Sequence, residues 1–166
     1  MSKYVSTAKK IFGDQLDQVE WVINAETKTC HSNLDEIFDA GVGFLDTVCI
    51  GRSDYSGSLG LSEEINGTEM FERVSDIAKR SKERGLHVTF GGKVLPDAVP
   101  FVMKMAPFVD CYETRKVTLA ITEDEEVIRK SIELAMRFEM LYLKEKRDYY
   151  MSMACEDDTR IEKFSS

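Results

Sequence analysis

Ile50-Gly51-Arg52-Ser53-Asp54-Tyr55-Ser56-Gly57-Ser58-Leu59-Gly60 is the stretch that decides how this chain is read. It follows a short apolar run, Thr47-Val48-Cys49-Ile50, of the kind that forms a buried strand. Glycine and serine then crowd the sequence, which predicts a loop over 51–60 with an acid, Asp54, near its start. A strand that ends in glycines and an acid is a pattern of parallel α/β proteins, whose ligands sit at the C-terminal ends of the strands.

Working outward, short β-type runs alternate with longer helical ones. Residues 3–17 read as a helix with Val5, Ala8, Ile11, Phe12 and Leu16 on one face. Residues 19–25 read as a strand, with Trp21 on its core side beside Val19 and Ile23. A short helix over 33–40 ends in Gly41-Val42-Gly43. Residues 68–84 form a strongly amphipathic helix, opened by Thr68 and stopped by Gly85. Residues 87–90 are the third strand, followed by Gly91-Gly92. A helix covers 96–105, with Pro96 tolerated in its first turn. The fourth strand lies within 110–119. Thr122, with Glu125 three residues on, has the signature of a capping box for a last helix that runs to about Tyr150. Residues 151–166 read as a less regular tail after a domain spanning 1–150.

Four βα repeats imply a parallel sheet with right-handed crossovers. Two architectures fit: an open doubly wound sheet, or part of a (β/α) barrel, which in full needs eight units and about 250 residues. Acids and cations collect at the predicted strand ends: Glu26-Thr27-Lys28, the loop around Asp54, Gly91-Gly92-Lys93, and Glu113-Thr114-Arg115-Lys116. Two carboxylates on neighbouring strand ends suit a hard cation such as Mg²⁺ or Mn²⁺. Equally, acids after strands serve as helix caps or solvated loop residues.

Bulk properties narrow the function classes. The 166 residues carry a formal net charge of −8, and 43% of them are hydrophobic. An acidic chain lacks the basic footprint that nucleic acid or an anionic membrane requires. No apolar run is long enough to span a bilayer, and the first residues, Met1-Ser2-Lys3-Tyr4-Val5, do not read as a secretory signal, so a cytoplasmic location is expected. Cys30, Cys49, Cys111 and Cys155 form no CxxC pair; neither disulfides nor a zinc finger is expected. No GxGxxG or Walker pattern supports a nucleotide site.

The strings Asn24-Ala25-Glu26-Thr27-Lys28 and Ile50 to Gly60 resemble the HpcH/HpaI aldolase and citrate lyase β-subunit family, in particular its G-x-x-D-L-S-x-S-x-G loop. The resemblance extends over about 15–150 and implies the last four strands of an eight-stranded barrel. It implies that Glu26 and Asp54 bind Mg²⁺ or Mn²⁺, and that Gly51, Arg52 and Ser53 lie against the carboxylate of a 2-oxo acid such as pyruvate or oxaloacetate. The activity it implies is a carbon–carbon lyase working through an enolate. An arginine and a proton-transferring histidine of the family's first barrel half have no counterpart here.

Arg115 and Lys93 are the candidate electrostatic helpers. The other readings are an ion pair of Arg115 with Glu113 and a solvated Lys93. Arg52 reads equally well as a substrate contact or a surface residue. His31 reads as a capping residue or a proton carrier, and His87 as structural. Half a barrel leaves open strand edges and an unfilled interior. A homo-oligomer, or a second chain supplying the missing half, is therefore the expected state. Ile128, Ile132, Ala135, Met136, Met140, Leu141 and Leu143 would give the last helix a broad apolar surface for it. Two further readings stay open: a non-catalytic assembly or binding subunit, and an open-sheet ligand-binding protein.

Overall fold

The computed structural model describes residues 1–165. Five strands form one sheet: β1 (Val22–Ala25), β2 (Thr47–Gly51), β3 (His87–Gly91), β4 (Cys111–Glu113) and β5 (Thr118–Ala120). Their spatial order is β1-β2-β3-β4-β5, the order of the sequence. The first three pairings are parallel and the last is antiparallel. A doubly wound sheet reverses its strand order partway. This sheet never does, so the architecture is that of a partial (β/α) barrel.

The register sorts the side chains by face. Ile23, Ala25, Val48, Ile50, Val88, Phe90 and Tyr112 point to one side, where helices cover them. Those helices are α3 (Leu34–Gly41), α4 (Arg52–Leu59), α5 (Thr68–Glu83), α6 (Val99–Met105) and the start of α7 (Glu125–Ser165). In α5, Met70, Val74, Ile77, Ala78 and Ser81 are buried, a stripe at helical spacing. Asn24, Cys49, Thr89, Cys111 and Glu113 alternate with the core set and fall on the opposite face. In a complete barrel that face would be the interior. A smaller cluster of Ala8, Trp21 and Phe44 sits where α1 (Ser2–Phe12) meets the base of β1 and β2. Trp21 is thus core, as its alternation predicts, but it precedes β1, and its indole Nε1 donates to Leu16 O at 3.1 Å.

Four local readings need correction. The glycine- and serine-rich segment after β2 is not a loop: residues Arg52–Leu59 are the helix α4, closed by Gly60 at φ 75°. Residues 110–119 do contain the fourth strand, but a fifth, unforeseen, turns back on it as a hairpin. Arg115 and Lys116 form its tip, with Thr114 N–H donating to Val117 O at 2.9 Å. The last helix is capped by Asp124 rather than Thr122, since the Asp124 side chain accepts from the backbone N–H of Glu126 and Val127 at 3.0 and 3.1 Å. Finally, 151–165 continues α7 without a break instead of forming an irregular tail. At 41 residues the helix is about 60 Å long. Only Ile128, Ile132 and Ala135 of it are buried; Met136, Met140, Leu141 and Leu143 are exposed.

Candidate functional site

Glu26 follows β1 directly, and its carboxylate lies against Gly51, the last residue of β2. A Cβ placed on Gly51 would fall 2.8 Å from Glu26 Oε2 and 3.0 Å from Glu26 Cβ. Gly51 is therefore the seat of the Glu26 side chain, and no other residue type leaves that space open. Gly51 also caps α4, so Asp54 is the third residue of that helix and is exposed in its first turn. An acid there complements the positive end of the helix.

Two links tie the segment behind Glu26 to the helix of Asp54. Lys28 N–H donates to Ser58 Oγ at 2.9 Å. Within α2 (Lys28–Ser32), His31 bonds through Nδ1 to the hydroxyl of Tyr55 on α4, and through Nε2 to Asp76 Oδ2 at 2.7 Å on α5. Tyr55 stands where the family motif has leucine. His31 is thus held on the helical side as a bridge between three elements, and the proton-carrier reading is not where the structure places it. His87 opens β3 at the opposite end of the sheet, 3.4 Å from Asp110.

Arg52 is the principal surprise. It is fully buried (0% exposed), so the surface reading does not hold. Its guanidinium donates to Gly91 O at 3.3 Å, Gly92 O at 2.7 Å and Asn66 Oδ1 at 2.9 Å. Its Cζ stands 4.3 Å from the Phe101 ring centre and 5.3 Å from that of Phe90. Burial pulls its pKa down to about 10, and Asp97 opposes the shift. The Arg52 side chain therefore shapes the Gly91-Gly92-Lys93 turn. That turn puts Lys93 at φ 48°, a left-handed conformation unusual for a side-chain-bearing residue. Gly92 packs on the start of α4, where a Cβ would fall 2.6 Å from Ser53 N.

Beyond the turn lies a cleft of about 520 Å³, lined by Ser53, Gly91, Lys93, Glu113, Arg115 and Met136 among others. Of the candidates from the sequence, Ser53, Lys93 and Arg115 line it, and Glu26 and Asp54 do not. Among the described residues Arg115 forms no ion pair with Glu113. Glu113 instead accepts from Thr89 Oγ1 at 3.2 Å and from the Cys49 thiol at 3.8 Å. Burial, then the charge of Glu113 and its hydrogen bond, with Glu26 adding to them, push the Cys49 thiol up to about 12, so it stays a donor. Glu113 was not singled out as a site residue in the sequence. Its position over Gly91, where a Cβ would meet Glu113 Cβ at 3.3 Å, depends on strand register, which no local string displays.

Among the described residues no three His, Cys, Asp or Glu side chains converge as a ready-made metal cluster. A protein cage of that kind is not what Mg²⁺ requires, since one or two carboxylates with water and substrate oxygens suffice. The space that Gly51 leaves for the Glu26 carboxylate, next to the helix carrying Asp54, fits such a site.

A mostly parallel β/α sheet with its acids, cations and glycine turns gathered at the C-terminal strand ends defines a partial-barrel protein. The family model for HpcH/HpaI aldolase/citrate lyase matches residues 1–96, more than half of the chain, and the protein belongs to that family. The family is generally dependent on divalent metal. Glu26, Asp54 and Lys93 fall inside the matched segment; Glu113, Arg115 and α7 fall beyond it. No curated protein matches the sequence.

Proposed function

We propose that the chain is a divalent-metal-dependent carbon–carbon lyase of the class II aldolase type, acting on a 2-oxo acid such as pyruvate or oxaloacetate. The observation that carries this reading is Glu26 seated over Gly51 at the foot of the helix that bears Asp54, in a member of this family. Glu26 and Asp54 hold Mg²⁺ or Mn²⁺. When bound, the ion supplies Lewis-acid polarisation of the 2-oxo carbonyl, which favours the enolate of the substrate. The backbone of Gly51, Arg52 and Ser53 seats the substrate carboxylate at the start of α4, where free N–H groups favour an anion. Lys93 and Arg115 add positive charge on the cleft side. The protein acts in the cytoplasm on a small molecule, and it works as a homo-oligomer or with a second chain that covers the bare face of the sheet.

A second reading, a non-catalytic assembly subunit, is favoured by one observation: the sheet face carrying Asn24, Cys49 and Cys111 has no opposing layer of strands among the described residues. The test that separates them is Mn²⁺ binding followed by electron paramagnetic resonance, with and without oxalate as an enolate mimic. The enzyme reading expects binding that tightens with oxalate and is lost in Asp54→Ala. Equal binding by the native chain and Asp54→Ala would leave the assembly reading in its place.

A further inference from the structure

We infer that Glu113 is the proton-transferring carboxylate of this site, taking a proton from the carbon next to the 2-oxo carbonyl and returning it there. The inference rests on the metal-dependent reading above and assigns a role that reading leaves vacant.

The geometry begins with two glycines. Gly51 and Gly91 are register partners at the ends of the two central strands. Glu26 leans onto Gly51 from the β1 side, and Glu113 leans onto Gly91 from the β4 side. The two glycines are one strand spacing apart, about 4.8 Å. Two carboxylates from strands that are not neighbours are thereby brought over one floor, made of Cys49, Gly51, Thr89 and Gly91. Both carboxylates act electrostatically on the same thiol, Cys49, which lies beneath them. A substrate bound beside Glu26 with its carboxylate toward Ser53 would place its far end over that floor and toward Glu113.

The other titratable groups at the strand ends have other roles, and Glu139, which also lines the cleft, stands on α7 rather than over the floor of the two central strands. Glu26 and Asp54 are assigned to the metal. Lys93 and Arg115 carry ammonium and guanidinium groups, which donate hydrogen bonds and offer no acceptor. The Cys49 thiol is held protonated. His31 is engaged by Tyr55 and Asp76 on the helical side, and His87 lies at the other end of β3. Glu113 remains: a carboxylate lining the cleft, oriented by two neutral donors and in no ion pair among the described residues. A carboxylate has roughly four acceptor positions, so two donors leave it capacity for a proton.

The step balances without a further reactant. A Glu113 oxygen forms an O–H bond with the hydrogen on the carbon adjacent to the carbonyl. The C–H electron pair becomes the new carbon–carbon π bond, and the carbonyl π pair moves onto oxygen. In the cleavage direction the same acid gives its proton to the enolate carbon.

The experiment follows the methyl protons of pyruvate by NMR in D₂O with Mn²⁺ present, alongside Mn²⁺–oxalate binding by paramagnetic resonance. Glu113→Gln keeps an acceptor oxygen for the Cys49 thiol and turns an amide N–H toward the Thr89 hydroxyl, which can accept it. It should slow exchange by about 100-fold or more, with Mn²⁺–oxalate binding within about twofold of wild type. Thr89→Val, which removes only the orienting hydroxyl, should slow exchange about tenfold and covers the case in which Glu113→Gln does not fold. Exchange at the wild-type rate in a folded Glu113→Gln, or in Thr89→Val if Glu113→Gln does not fold, overturns the assignment. So does a wild-type protein that binds Mn²⁺–oxalate yet exchanges nothing; the metal reading would stand. Failure of wild type to bind Mn²⁺–oxalate removes both.

Discussion

Gly51 and Arg52 are neighbours in sequence and opposite in role. Gly51 makes room: its missing side chain is where the Glu26 carboxylate lies. Gly51→Ala should therefore leave the fold intact but displace Glu26, weakening Mn²⁺ binding about tenfold, or roughly 1.4 kcal/mol, as read by titration at unchanged melting temperature. Arg52 fills: its guanidinium satisfies successive carbonyls of the Gly91-Gly92 turn and sits against Phe101. Arg52→Met should cost about 3 kcal/mol or more in denaturant midpoint experiments, because it strands buried acceptors. Lysine should rescue poorly, having no planar fork. At this scale the sequence was legible in part. Glu26 and Asp54 stood out because a local string marks each. Arg52 read as a loop residue, because nothing in 51–60 reveals which carbonyls will lie above it. Glu113 read only as a partner for Arg115, because its true neighbours, Thr89 and Cys49, come from other strands.

Among the elements, β3 and β4 are aligned by Asp110 as well as by their ladder. Its carboxylate accepts from Val88 N–H at 2.8 Å and pairs with Lys82 of α5 at 2.6 Å. Burial alone would raise its pKa, but the hydrogen bond and charge of Lys82 and the Val88 N–H hold it below the ordinary value. A depressed folded-state pKa contributes stability above the unfolded value of about 3.9 and loses it as pH falls through the folded one. Unfolding free energy should thus drop on acidification below about pH 4. Asp110→Asn should flatten that limb and remove about 1 kcal/mol or less at neutral pH, since the pair is partly exposed. Strand and helix order was readable from periodicity alone. The α4 helix was not, because glycine and serine disfavour helix locally, and here tertiary packing of Tyr55 and Ser56 overrides that preference. The hairpin was missed for a simpler reason: Arg115 and Lys116 carry no glycine or asparagine to mark a turn.

At the scale of the molecule, the body ends near Ala135 but α7 does not. Leu134, Phe138, Leu141, Tyr142, Leu143, Tyr149 and Met153 are all exposed along it. Exposed apolar area of this extent is a mark of association. The protein should sediment as a dimer or larger species, and Leu141→Glu should shift it toward monomer without lowering the melting temperature of the body. A strictly monomeric wild type would sink that expectation. An unfilled half barrel could be foreseen from four βα units, but how the sheet ends could not. β5 runs antiparallel along the outer side of β4 and takes up its backbone groups. β5 is thereby the edge strand on that side, and β4 is not free to pair with a further strand. Parallel strands can continue the barrel order directly from β4 only if the hairpin first lets go. While the hairpin holds, cover for the face carrying Cys49 and Thr89 comes as a lid over the sheet rather than as the continuation of β4.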